Sequence, residues 1–176
     1  MKKIVVVDID REEFRFAVGG VHRRSVKLLA AGVCAWRPVE EGVALSATDQ
    51  GKQIREQLKS YKVAKSPLVL FVDRTKVEEL HLSLPPVADS ELPQLVINQA
   101  VLESPGLTEE TIIDFVPEPL ESFDAPRKIV AFALLPKELE HAKTLAQQIG
   151  LPPTSLQYRP YSAAVPVQEL AGDSLD

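Results

Sequence analysis

The opening of the chain constrains its fold more than any other stretch. Ile4-Val5-Val6-Val7 is an unbroken apolar, β-branched block that runs into Asp8-Ile9-Asp10. A block that is hydrophobic at successive positions must be covered on both faces, and at this length it predicts an interior strand over 3–10. Two further runs follow. Residues 13–19 alternate Phe14, Phe16 and Val18 with Arg15 and Ala17, and residues 25–36 are long and mostly apolar. Short polar links join the three, so the pattern predicts an antiparallel meander. Its first turn, Arg11-Glu12-Glu13, lacks glycine. The second is expected around Gly19-Gly20, where the backbone is free to adopt hairpin angles.

Beyond a polar loop at 37–47, Ile54, Leu58 and Tyr61 recur at helical spacing and predict a helix over about 48–62. Pro67 opens Leu68-Val69-Leu70-Phe71-Val72, too short for a helix and apolar on both faces, hence a second interior strand. A strand over 77–84 follows, with Leu80, Leu82 and Leu84 on one face and Pro85-Pro86 as its stop. Asp89 or Ser90 is placed to cap a helix reaching 103, with Pro93 in its first turn and the stripe Leu92, Leu95, Val96, Gln99 and Ala100. Strands are expected at 111–116 and 128–135 around a proline- and acid-rich loop, 117–126. A helix starts at Pro136, shows Leu139, Ala142, Ala146 and Ile149 on one side, and ends at Gly150. A short strand at 154–158 and a helix at 161–170, interrupted by Pro166, complete the series.

Composition narrows the function classes. The 176 residues carry 20 Lys+Arg against 25 Asp+Glu, a net charge of −5. That sign gives no general attraction to phosphodiester backbones or anionic lipid, so nucleic-acid binding is not expected without a local patch. Cys34 is the only cysteine, which rules out an intrachain disulfide and a thiolate metal cluster and fits a reducing, cytoplasmic compartment. Asp8 and Asp10 cut the opening run short of a signal-peptide core, and the uncharged run 28–36 is about half a membrane-spanning length. Membrane insertion is not expected.

Asp8 and Asp10 are the leading candidates for chemistry. Residues i and i+2 of a strand face the same side, so two carboxylates there can meet a divalent cation, as a metal-dependent nuclease of the ribonuclease H kind requires. Strand ends are also ordinarily polar and hydrated. His22, His81 and His141 show no ligand spacing, and no serine sits in a nucleophile-elbow context. Neither GxGxxG nor GxxxxGK[ST] occurs, so no dinucleotide or Walker-type cradle is encoded. Arg11, Arg15, Arg23, Arg24 and Lys27 gather near the hairpin in sequence, as an anion patch or as the charges of a protected sheet edge.

The order of elements resembles the N-terminal half of actin-like proteins of the FtsA and PilM type, most of all PilM. The carrying residues are Val6-Val7-Asp8-Ile9-Asp10, then Leu82-Ser83-Leu84-Pro85-Pro86 with the helix Glu91–Glu103, and Ile129-Val130-Ala131-Phe132-Ala133. Ile149-Gly150-Leu151 is similar to the family's Ala-Gly-Leu, and Tyr161-Ser162-Ala163 to the helix with its Phe-Ala pair. The resemblance spans about 3–170. It implies an α/β fold: an actin-like, ribonuclease H-like sheet subdomain at 1–74 to which 153–171 returns, and an inserted strand-helix-strand-strand-helix module at 75–152. Residues 172–176 then lead toward a second half that this chain does not include.

Members of that family bind Mg-ATP between two halves and serve as cytoplasmic scaffolds of the type IV pilus inner-membrane platform, holding the cytosolic tail of PilN. Platform proteins of type II secretion share the fold. The resemblance therefore implies a PilN-like peptide as partner, self-association as a second possibility, and a place at the inner membrane through that partner. It also maps the first phosphate loop onto Asp8, Asp10, Arg11 and Arg15. There the family reads Asp-Ile-Gly-Ser-Ser-x-Ile-Lys and this chain reads Asp8-Ile9-Asp10-Arg11-Glu12-Glu13-Phe14-Arg15. A carboxylate replaces the glycine that lets backbone N–H groups reach phosphate, and two more acids follow in the same turn. The expectation is a degenerate nucleotide site, no bound cofactor and no enzymatic activity. The alternative is a ribonuclease H-like nuclease or phosphotransferase with Asp8 and Asp10 as metal ligands. A ferredoxin-like small-molecule sensor over 77–150 lacks any polar-pocket signature.

Overall fold

The computed structural model describes residues 2–23, 25–39, 43–119, 122 and 125–159. The helix expected at 161–170, the Tyr161-Ser162-Ala163 resemblance and the tail at 172–176 lie outside the described residues, as does Arg24. The chain divides into two compact units, residues 1–74 with 140–176 and residues 75–139.

The first unit is built on a mixed five-stranded sheet. The meander forms as β1 (Lys2–Ile9), β2 (Glu13–His22) and β3 (Ser25–Ala35), followed by α1 (Ala47–Leu58) and β4 (Leu68–Val72). The last strand, which pairs with β4, closes the series at Pro153–Tyr158 and is numbered β8 in chain order. Sheet order is β3-β2-β1-β4-β8, antiparallel across the meander and parallel from β1 through β4 to β8. One face of the sheet supplies Val5, Val7, Phe14, Phe16, Val18, Leu68 and Leu70 to a core completed by Ile54 and Leu58 of α1. Val5, Val7, Ile54 and Leu68 are wholly inaccessible to solvent. The apolar block at the start of the chain is thus an interior strand, flanked by β2 and β4.

The meander turns later than expected. Gly19 and Gly20 lie inside β2, and the reversal falls at 22–25, where Arg23 takes a left-handed φ of 51° and the Ser25 hydroxyl donates to the His22 carbonyl at 3.1 Å. Gly19 serves close approach instead: a Cβ there would stand 2.9 Å from Val26 Cγ1 and 3.0 Å from Ile4 Cγ2, beside the bulge where Leu29 has no partner in β2. The helix expected to reach 62 ends at Leu58, continues as a 3₁₀ turn over Lys59–Tyr61 and stops at Lys62, φ 51°. Ser46 caps it, its hydroxyl oxygen accepting from the Asp49 N–H at 3.1 Å.

The second unit holds an antiparallel three-stranded sheet of β5 (Val77–Leu84), β6 (Ile112–Pro117) and β7 (Arg127–Leu134), in the order β5-β7-β6. Against it lies α2 (Leu92–Glu103), which buries Leu92, Val96 and Ala100 together with Leu82, Leu84 and Ile129. Neither Asp89 nor Ser90 caps this helix: its N-cap is Glu91, with no side-chain bond. Asp89 instead accepts from the nearly buried Arg127 at 2.8 Å. The charge pair takes the carboxylate that sequence spacing assigned to the helix end.

The helix predicted from Pro136 is α3 (Pro136–Ile149), and it straddles the division between the units. From Glu140 it belongs to the first unit, where Leu145, Ala146 and Ile149 join the core of Val5 and Ile54. The resemblance implies one module over 75–152, whereas the apolar stripe near the end of α3 packs with the five-stranded sheet unit. Gly150 ends the helix at φ +77°, its N–H donating to the Ala146 carbonyl at 3.0 Å.

Candidate functional site

Three parallel strands of the first unit, β1, β4 and β8, end side by side. After β1 the chain turns to β2 on one side, and after β4 it eventually reaches β8 on the other. The crevice beyond the carboxyl ends of β1 and β4 is therefore the topological switch point, where open α/β sheets bind their ligands. Each of the three strands delivers an ionic side chain there: Asp8 and Asp10 from β1 and the turn after it, Asp73 from the residue after β4, and Arg159 from the residue after β8.

Arg159 ties the ends together. Its Nε donates to Asp8 Oδ1 at 2.8 Å, and Nη2 stands 2.6 Å from the same oxygen. Nη2 also donates to the Ile9 carbonyl at 2.8 Å. Nη1 lies 3.2 Å from Asp73 Oδ2 and 3.4 Å from Asp10 Oδ2. A second guanidinium approaches from β2, where the register sets Arg15 opposite Asp8. Arg15 Nη1 is 3.2 Å from Asp8 Oδ2 and 3.6 Å from Asp10 Oδ2, while Nη2 pairs with Glu13. Hydrogen bonds to Glu13 and then Asp8 raise the Arg15 pKa above its already high ordinary value, so this group stays charged at any working pH.

The turn itself is internally satisfied. The Asp10 N–H donates to the Glu13 carbonyl at 2.9 Å, and the Arg11 N–H donates to the Asp10 carboxylate at 2.8 Å. Trp36, stacked on Phe14 with ring centroids 4.7 Å apart, donates its indole N–H to the Asp10 carbonyl at 3.0 Å. The two N–H groups at the head of the turn, which a phosphate-binding loop would aim at its anion, are thus consumed locally. Four carboxylates (Asp8, Asp10, Glu13, Asp73) meet two guanidiniums (Arg15, Arg159), leaving this set two charges negative. The charge is unfavourable to phosphate, and each carboxylate already faces a cationic side chain rather than open space. Among the described residues no group of three or more His, Cys, Asp or Glu side chains is arranged to hold a metal ion.

Asp8, Asp10 and Arg15 thus come together, and Arg11 enters through its backbone N–H. The wider basic cluster does not form. Arg11 and Arg15 sit where β1 ends, and Arg23 and Lys27 sit where β1 begins. Sequence reasoning missed Asp73 and Arg159. Asp73 follows an apolar block just as Asp8 does, a repeated pattern that would have found it. Arg159 has no local signal.

No family model matches the chain, and no curated protein matches its sequence. Among described residues no helix is long and apolar enough to cross a membrane. Solved structures do match the fold. The cytoplasmic domain of EpsL, an inner membrane component of the type II secretion system of Vibrio cholerae, aligns with a TM-score of 0.57 at 11% identity, covering 88% of this chain and 57% of that one. The PilM-PilN type IV pilus biogenesis complex aligns with a TM-score of 0.77 at 18% identity, covering 93% of this chain and 49% of its counterpart. At such identities the likeness is one of fold, and this chain spans about half the length of the chains it matches.

Proposed function

We propose that the chain is the actin-like N-terminal half of a cytoplasmic scaffold of the PilM kind, working by holding polypeptide rather than by turning over nucleotide. In this reading the five-stranded sheet is the actin-like subdomain, and the segment after Arg74 is its inserted module. The partner is the cytosolic tail of a PilN-like membrane platform protein, which keeps the chain at the inner membrane without inserting it. The likeness of fold to the PilM-PilN complex over 93% of the chain supports this class.

The observation that carries the reading is Arg159 lying across Asp8, Asp10 and Asp73 at the switch point. The cationic seat is filled by the protein's own side chain, and the turn that would cradle phosphate has its leading N–H groups satisfied. The same contacts argue against a metal-dependent nuclease, which needs Asp8 and Asp10 free to coordinate. Calorimetry of the chain with a PilN-like tail peptide, Mg-ATP and Mn²⁺ in turn tests the proposal. Heat with the peptide alone is expected. Tight binding of Mg-ATP or of Mn²⁺ at the Asp8 cluster would overturn it.

A further inference from the structure

The opposite end of the five-stranded sheet carries charge of one sign. Residues 2–7, 17–31, 57–69 and 150–156 contain no aspartate or glutamate. The topology brings these stretches to the end where β1 begins: the β2–β3 turn, the loop before β4 and the link from α3 to β8 all lie there. Lys3 and Lys27 share one row of the sheet through Gly20, and Lys2 pairs with Val21 next to it. Lys62 and Lys65 both adopt left-handed backbone, φ 51° and 62°. Their loop is fastened to β1 by Lys3, whose Nζ donates to the Tyr61 carbonyl at 2.6 Å and the Lys62 carbonyl at 3.3 Å. Lys2, Lys3, Lys62 and Lys65 line an open depression of about 510 Å³ together with Ile4 and Pro67. Arg23 completes the pole from the β2–β3 turn.

We propose that this pole docks on an anionic lipid bilayer, an inference independent of the nucleotide and peptide readings above. Three observations favour a bilayer over an acidic peptide. From Lys27 on β3 to Lys65 before β4 the pole spans roughly 15 Å of sheet width, broader than one extended chain. Among the described residues its cations apart from Arg23 are lysines, point charges without the fixed fork that selects individual carboxylates. Two large apolar side chains stand in the open on the sheet face of Lys2 and Ile4, Val26 at 67% and Leu28 at 64% exposure, as a surface that settles among headgroups requires. The net charge of −5 does not cancel the pole. Asp8, the nearest acid of the cluster, stands six residues along β1 from Lys2, about 20 Å away, against a screening length of about 10 Å at 0.1 M salt.

Sedimentation of the full chain with vesicles tests this. Phosphatidylglycerol-rich vesicles are expected to bind it, pure phosphatidylcholine vesicles are not, and added salt is expected to release it. Lys2→Glu/Lys62→Glu/Lys65→Glu is expected to weaken binding by at least about a hundredfold, from roughly fivefold per cation removed and more for the anions added. The control Lys52→Glu/Lys137→Glu/Lys143→Glu changes net charge equally on exposed helix positions and is expected to cost less than about threefold, with circular dichroism confirming that both variants fold. Equal binding to neutral vesicles, or an equal loss in the control, would overturn the proposal. Capture of a polyglutamate peptide without vesicle binding would overturn it too, by assigning the pole to an acidic protein partner.

Discussion

Replacing Arg159 by alanine tests the account of the strand ends most directly. The side chain makes contacts of 2.6 to 3.4 Å with Asp8, Asp10 and Asp73 and donates to the Ile9 carbonyl. It is 28% exposed, and Asp8 is 19% exposed, so the cluster lies between a hydrated surface and a dry interior. Coulomb attraction at such distances is roughly 5 kcal/mol per pair at an effective dielectric of 20. Desolvation and lost rotamer freedom cancel most of that. Exposed pairs retain about 0–1 kcal/mol, and breaking a buried pair costs about 3–5. We expect Arg159→Ala to lose about 3 kcal/mol, a fall in Tm of roughly 6–12 °C for a chain of this size. Arg159→Lys keeps the charge but not the fork and is expected to lose about 1 kcal/mol. Urea denaturation of Arg159→Ala, Asp8→Asn and the double variant gives the coupling energy, expected at about 1 kcal/mol or more. A coupling below about 0.3 kcal/mol, with each single loss under about 0.5, would show that the cluster is ornamental and refute the argument.

Two further substitutions probe the scaffold beneath it. Gly51 lies where α1 crosses α3, and a Cβ there would stand 2.4 Å from Gln148 Cβ and 2.9 Å from the Leu145 carbonyl oxygen. Gly51→Ala gains about 1 kcal/mol of helix propensity but forces the helices apart at a cost near 3 kcal/mol, so calorimetric melting should show a net loss of about 2 kcal/mol. The Glu56 carboxyl accepts from Arg37 at 2.7 Å, which holds its pKa below the ordinary 4.5. A group lowered in the folded state adds stability above its unfolded pKa and loses it as pH falls through the folded one. Carboxyl NMR should therefore find the Glu56 midpoint on the acid side of 4.5 in the native chain, and Arg37→Ala should return it upward.

Much of the fold was legible because hydrophobic period and block length report burial directly. β1 and β4 announce themselves as apolar at successive positions, and α3 shows a helical stripe closed by a glycine that needs a positive φ. The misreadings share another cause, partners far away in sequence. Gly19-Gly20 looks like a turn, but Gly19 sits where Val26 and Ile4 crowd β2. Asp89 looked like a cap, but Arg127 takes its carboxylate. The end of α3 looked like part of a local module, yet its apolar stripe belongs to a core begun by Val5. The candidate site divides the same way. Asp8, Asp10 and Arg15 meet through one hairpin, whereas Arg159 reaches Asp8 across 151 positions.

That long-range pairing explains why the acids at the strand ends are compatible with the fold. Parallel strands lie about 4.8 Å apart, so ending β1 and β4 in aspartates places like charges within a few ångströms of one another. A sheet with that pattern alone would be pushed apart at the switch point, where crevice walls exclude part of the screening water. Placing a guanidinium after β8, the next parallel strand, converts the repulsion into a bridge that holds all three ends in register. An arginine so engaged is also a poor hook for phosphate, since three carboxylates already share its charge and an incoming anion would have to displace at least one of them. Holding the three strand ends together and drawing the guanidinium away from other anions are consequences of the same side chain.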